Sequence, residues 1–257
     1  MGQITATFGK TIKEFMRAKP VLFWTIAWPI LWVLIGSYSF GGNAPTSVIP
    51  YLRGSIAISM MTFALMTAGI ANLPGNIAQD RERGLLFKLM SMPIKPWRDF
   101  VGRILGLLAF SSLAVVLVAV VGYACGARFS STMIGAWQSI GFFLVVLLAS
   151  AGIGMFIGTF IKNVNGAIMT GVGISVVTAS LSGVMAPYSS LPTLLQGFAR
   201  VYPISSGNSS ITYLLVGEDF AGYSPLGAGQ TASTIAMSFL LFVAGLIVYS
   251  KWCWRKG

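Results

Sequence analysis

Between residues 3 and 18 apolar side chains return every three or four positions. Ile4, Phe8, Ile12, Phe15 and Met16 fall on one arc of a helix, and Lys10, Lys13, Glu14 and Arg17 on the other. This predicts an amphipathic helix at a membrane interface, covering residues 1–19, with a solvated leader as the alternative. Polar positions then become scarce. Apolar runs cover about Pro20–Tyr38, Ser55–Gln79, Phe100–Cys125, Met133–Ile161, Asn165–Met185 and Thr231–Tyr249. Each is long enough to cross a hydrocarbon core about 30 Å thick. The first is expected to kink near Pro29. The apolar pieces Leu191–Phe198 and Ile211–Val216 are too short to cross. They predict short re-entrant or capping helices within 188–217, before the last span, and a plain loop is the alternative.

The pattern therefore predicts an all-α integral membrane protein with six transmembrane helices in a single domain, residues 1–257. Composition agrees: 55% of residues are apolar and 9% charged, where a soluble domain has about 25% charged. The net charge of +11 does not imply nucleic acid, because the basic residues flank the apolar runs. Fourteen of them fall on one side of the six spans: Lys10, Lys13, Arg17, Lys19, Arg81, Arg83, Lys88, Lys95, Arg98, Arg103, Lys162, Lys251, Arg255 and Lys256. Only Arg53, Arg128 and Arg200 fall on the other. The asymmetry predicts both termini in the cytoplasm of a multi-pass plasma-membrane protein. Cys125 and Cys253 then lie on opposite sides and do not pair. With no histidine in the chain, a His/Cys metal site is not expected.

One stretch departs from the pattern. "DRERGLLFKLMSMPIKPWRD", Asp80–Asp99, holds eight of the 23 charges. Its basic residues act as a topology signal. That leaves unexplained Asp80, Glu82 and the apolar cluster Leu85, Leu86, Phe87, Leu89 and Met90. A short cytoplasmic helix over 80–91, with Pro93 and Pro96 beyond it, suits docking in a groove on another protein. Candidate docking residues are Asp80, Glu82, Arg83, Gly84, Leu85, Leu86, Phe87, Leu89 and Met90. The chain lacks a G-x-x-x-x-G-K-[ST] phosphate loop, so it is not expected to hydrolyse ATP itself. All six acids (Glu14, Asp80, Glu82, Asp99, Glu218, Asp219) fall at or beyond the span ends, which leaves no evident proton relay within the membrane. A transporter without either engine would have to borrow one.

The order of elements resembles the membrane subunits of type-two ABC exporters, the permease family of drug, lipid and polysaccharide export. The residues that carry the resemblance are "QDRERGLLFKLMSMPIKPWRDFVGRIL" and "LPTLLQGFARVYPISSGNSSITYLLVGEDF". In the first, Glu82, Gly84, Leu85 and Pro93 match an E-x-G-hydrophobic core followed by a proline-bearing turn. In the second, Leu191-Pro192 and Tyr202-Pro203 match, with Tyr202 standing where the family often has Asn. The resemblance implies that 80–91 is a coupling helix contacting an ATPase. It also implies two ATPase subunits, which bind the ATP and magnesium, and a second copy of this chain or a related permease. This chain would itself carry no cofactor and no catalytic residue.

Three features are candidates for lining a route. Met60, Met61, Phe63 and Met66 offer adaptable apolar contact in the second span. Ser175, Thr178 and Ser182 share a face of the fifth. Trp24, Trp28 and Trp32 form a stripe in the first, for which interface anchoring is the favoured reading. Ordinary core packing is the alternative for the methionines, and hydrogen bonding to their own helix for the hydroxyls. Glycines four apart, Gly102/Gly106, Gly122/Gly126 and Gly154/Gly158, suit close helix packing within one subunit or between two. The charge-poor, Met-rich interior suits a hydrophobic or amphipathic substrate: a drug, a lipid or a lipid-linked glycan. A stand-alone channel or facilitator, and a membrane anchor that moves nothing, are the other classes compatible with the sequence.

Overall fold

The computed structural model of the protein describes residues 2–39, 45–85 and 96–253. Helix α1, Gln3–Arg17, is followed by six helices long and apolar enough to cross a membrane. These are α2 (Lys19–Ser39), α3 (Ile49–Glu82), α4 (Pro96–Ala124), α5 (Met133–Phe160), α6 (Val164–Leu181) and, last in the chain, α10 (Ala228–Cys253). Between α6 and α10 lie a short 3-10 turn at Tyr188–Ser190, then α7 (Thr193–Val201), α8 (Pro203–Leu215) and α9 (Glu218–Ala221). The six spans agree with the apolar runs to within a few residues. The second is the most extended, starting six residues earlier and ending three later than the hydropathy suggests.

The arrangement centres on α3. Buried residues make up 89% of its apolar window, against 17–56% for the other five spans. At 34 residues it is about 50 Å long, longer than a hydrocarbon core is thick. It packs against α2, α4, α5, α6 and α8. Two spans contain a turn of π-helix, Phe23–Ala27 in α2 and Ala68–Asn72 in α3. Each lies just before a proline, Pro29 and Pro74. A proline ring clashes with the carbonyl four residues back, at Thr25 or Ile70 here, and one wider turn relieves the clash. The expected irregularity near Pro29 is thus a π turn rather than a break, and Pro74 produces a second that apolar periodicity does not reveal.

The glycine pairs work within one subunit. A Cβ on Gly102 would lie 2.7 Å from Thr7 Cβ, and one on Gly106 2.8 Å from Thr11 Cβ, so these two let α1 lie down on α4. One on Gly122 would lie 2.7 Å from Ala57 Cβ, seating α4 against α3. Gly154 leaves room for the Gly69 carbonyl and Gly158 for Pro74, so α5 meets α3 along its π turn. Gly126 closes the α4 exit turn with φ +87°. The face that α1 buries is Thr7, Thr11 and Phe15, flanked by the half-buried Ile4, Phe8 and Ile12. Met16 stays exposed.

Helix α8 departs most from a loop. Ten of its 13 residues are buried, Pro203–Thr212, and it packs on α5, α3 and α10. Its neighbour α7 is a surface helix with Leu194, Phe198 and Val201 exposed. Tyr202 joins the two; burial pushes its phenol up to about 12, so it is neutral at physiological pH.

Candidate functional site

The last turn of α3 is where the helices meet. Gly84, with φ +65°, ends the helix as Arg83 N donates to Gln79 O and Gly84 N to Arg81 O, both at 3.0 Å. Leu85 is helical again. Asp80 and Glu82, expected at the start of a separate 80–91 helix, therefore belong to the end of the second span. Leu86, Phe87, Leu89 and Met90 lie outside the described residues.

Three consecutive side chains at this end reach five other helices. Asp80 is fully buried and pairs with Lys10 of α1 and Arg103 of α4. Arg81 donates to the Thr159 carbonyl at the end of α5, at 2.9 Å, and to Cys253 Sγ at the end of α10, at 2.8 Å. Glu82 accepts from the Val164 backbone N–H at 3.0 Å, capping the first turn of α6. An anion placed there also meets the positive end of the helix dipole.

A buried polar cluster lies beneath. Arg103, 1% exposed, donates from Nε to Asp99 at 2.8 Å, from Nη1 to Asn76 at 2.6 Å and from Nη2 to Asp80. Asp99 also accepts from Thr7 Oγ1 at 3.1 Å. Glu14 accepts from Asn76 and lies 3.9 Å from Lys10 and 3.5 Å from Arg83. Three acids therefore face three bases, which is what keeps charge tolerable away from water. Burial pushes the Glu14 carboxyl above its usual range, and the Lys10 ammonium offsets part of that. Asp99 and Arg103 stand at the start of α4 and Asp80 at the end of α3, so the cluster fastens both ends of the segment 80–99 to each other and to α1.

Of the other expected docking residues, Glu82 and Arg83 are exposed, and Gly84 and Leu85 half-buried. Asp80 faces inward. Of the expected route residues, Met60, Met61, Phe63 and Met66 are all buried in the core around α3. Ser175 and Ser182 are buried, and their hydroxyls have no hydrogen-bond partner. Thr178 donates back to Ile174 O at 2.6 Å and approaches Met66 Sδ at 3.8 Å. Of the seven, only Met60 lines the cavity at the opposite end of the bundle.

That cavity has a volume of about 300 Å³. It lies between α2, the first turns of α3, the chain leaving α6, and helices α8 and α9. Trp32, Ile56 and Met60 supply apolar walls; Ser59, Asn208 and Thr212 supply polar ones. Trp28 and Trp32 stack at 6.2 Å, with planes 22° apart. Trp32 thus belongs to a cavity wall as well as to the expected stripe. Tyr188 closes one side and is clamped by Arg200, which donates to its hydroxyl at 2.7 Å and lies over the ring of Tyr223 at 5.0 Å.

Sequence reasoning missed the buried cluster and most of this cavity. A signal for the first was present: Asn72, Asn76 and Asp80 follow one another at steps of four on α3, as do Asp99 and Arg103 on α4. The cavity residues come from helices far apart in the chain and carry no local pattern. Among the described residues no cluster of His, Cys, Asp or Glu suits a metal ion.

The fold defines a polytopic helical membrane domain whose ion pairs, among the described residues, lie at one end. Residues 2–216 match the family model of the ABC-2 type transporter, and the chain belongs to that family as a permease subunit. No curated protein matches the chain.

Proposed function

We propose that this protein is the membrane subunit of an ATP-driven exporter, energised by two separate ATPase subunits that dock on residues 80–91. The observation that carries this reading is the hub at Asp80, Arg81 and Glu82. Three adjacent residues grip α1, α4, α5, α6 and α10 beside the segment proposed to dock. A push delivered there is shared among the spans rather than absorbed by a slack loop, which is the mechanical need of a permease whose engine lies outside it. Glu82, Arg83, Gly84 and Leu85 extend the docking surface from the hub, and Asp80 holds it in place from within.

In this reading the hub end faces the cytoplasm of the plasma membrane, with α1 at the interface and both termini on that side. A second copy of the chain or a related permease completes the conduit. Closure of the ATPases around ATP and magnesium drives the segment, and the spans rock. The substrate is hydrophobic or amphipathic, since the interior around α3 offers methionines and hydroxyls and keeps its charges at the ends. The test is purification with the co-encoded ATPase. The expected result is a stable complex whose ATP hydrolysis rises with substrate, while the chain alone hydrolyses no ATP. Failure of a co-expressed ATPase to bind or to support transport would overturn the reading in favour of a facilitator or an anchor.

A further inference from the structure

The cavity beside Trp32 has the construction of a ligand site. Its volume of about 300 Å³ is at the lower end for sites that take small molecules. Its two sides differ in chemistry. Trp32, Leu52, Ile56 and Met60 make an apolar wall on α2 and α3, and an indole in such a wall suits a flat or cationic ligand. Opposite lie the amide and hydroxyls of Asn208, Ser209 and Thr212 from α8. Asn208 is 5% exposed; its amide nitrogen donates to Ser59 Oγ at 3.4 Å, and its carbonyl oxygen has no hydrogen-bond partner. A buried acceptor left unmatched is costly, and a ligand that donates to it recovers that cost. Charge narrows the choice further. Among the described residues that line the cavity, Asp219 is the only charged one, and it sits exposed on the first turn of α9. A phosphate or carboxylate would meet a carboxylate and no base.

We infer that this cavity, formed within one subunit by α2, α3, α8 and α9, binds a cationic amphiphile that carries hydrogen-bond donors and has a flat apolar body. This goes beyond the ATP-driven reading in naming a site and a ligand charge, and it rests on that reading only in treating the ligand as cargo. Binding itself needs no ATPase, so the two fail separately: loss of ATPase association leaves the cavity untouched, and loss of ligand binding leaves the hub untouched.

The probe is ethidium, a flat cation with two amino groups. The negative control is anilinonaphthalene sulfonate, an anion of similar size. Fluorescence anisotropy is read with the full chain in lipid nanodiscs, against empty nanodiscs of the same lipid. The expected result is saturable ethidium binding that the empty discs lack, with the sulfonate bound no better than to those discs. Ile56→Trp, which fills the space from the apolar wall, should weaken ethidium binding by about tenfold or more. Asp219→Asn, at an exposed position, should weaken it by about threefold, the scale of a solvent-screened charge. Elution volume and thermal unfolding check that each variant is folded, and the Asp219 variant decides the matter if Ile56→Trp is not. Ethidium binding no greater than in empty discs would overturn the proposal. So would wild-type affinity in a folded Ile56→Trp variant, or in Asp219→Asn.

Discussion

Arg103 holds Asp99 one turn away on its own helix, Nε to Oδ2 at 2.8 Å, while its Nη2 reaches across to Asp80 on the neighbouring span. One guanidinium thus ties Asp80 in the last turn of α3 to Asp99 in the first turn of α4, 19 positions apart in the chain. Arginine suits the task because its planar fork serves two carboxylates and the Asn76 amide oxygen at once and keeps its charge when buried.

Removing that fork leaves two buried carboxylates with a shortfall of positive charge. Arg103→Met should destabilise the folded chain by about 3–5 kcal/mol, the usual cost of breaking a buried pair from one side. Adding Asp80→Asn and Asp99→Asn to it should recover a large part of the loss, since the orphaned charges go too. Thermal unfolding in one detergent, with elution volume as a check on aggregation, measures both. Equal stability of wild type and the single variant would mean that water reaches the cluster and that it holds nothing together.

Glu14 gives the cluster a pH signature. Its carboxyl titrates above the ordinary glutamate range because burial disfavours the charged form, an effect the Lys10 ammonium partly offsets. Between the ordinary glutamate pKa and the raised one, the folded chain binds more protons than the unfolded one. Stability therefore falls as pH rises through that window and levels off above it. Glu14→Gln removes the titration, so its stability relative to wild type should climb across the window and then stay constant. Unfolding midpoints of both proteins at half-unit pH steps trace the difference. A flat difference curve would mean that Glu14 is as well solvated in the folded state as in the unfolded one.

Much of this was legible in the sequence, and for a physical reason. Spans announce themselves because lipid demands long uninterrupted apolar runs, and α1 because its two faces meet different solvents. The 80–99 segment stood out because charge is rare in this chain. What stayed hidden depends on which helices become neighbours. Asp80 reads as a loop charge until α1 and α4 are placed beside it, and then it is a core residue. Thr7 and Thr11 look like positions on the edge of an amphipathic arc, yet they are the side chains seated over Gly102 and Gly106. Met60 and Met66 share a helix and a residue type, but only Met60 reaches the cavity. Spacing along one helix does not distinguish them.

The meeting of α3 and α5 allows a sharper packing test. A Cβ on Gly154 would run into the backbone carbonyl of Gly69, which cannot swing aside as a side chain would. Gly154→Ala should cost at least about 1–3 kcal/mol, the range for overpacking, despite the better helix propensity of alanine. Gly141→Ala on the same helix meets nothing within 4 Å and should be neutral or slightly stabilising. Unfolding midpoints of the two variants side by side give the answer, and indistinguishable values would show that the two helices separate at no cost.

Orientation is tested by accessibility. In a background lacking Cys125 and Cys253, Pro45→Cys should react with a membrane-impermeant maleimide added to intact cells, and Met90→Cys should react only after the membrane is opened. The expectation follows from fourteen basic residues on the side of position 90 and three on the other. Labelling of position 90 alone in intact cells would invert the topology and with it the assignment of the hub to the cytoplasm.

The docking reading makes a prediction about which chemistry matters in 80–91. Apolar anchors dominate most interfaces, while charges at the rim contribute little. Phe87→Ala should therefore weaken ATPase binding by about 2 kcal/mol, roughly thirtyfold, and Lys88→Ala far less. Glu82 stands apart. Its carboxylate caps the first turn of α6 through Val164 N–H, so Glu82→Ala should loosen α6 as well as the partner, and transport should fall further than binding does. Glu82→Gln keeps an acceptor for that N–H and should restore part of the transport. All four variants should insert normally, because the remaining basic residues preserve the topology signal. Co-purification with the ATPase and transport are measured on the same preparations. If a chain with Leu85, Phe87 and Leu89 all changed to Ser bound the ATPase fully and transported normally, the segment would be a topology signal and nothing more, and the engine would have to attach elsewhere.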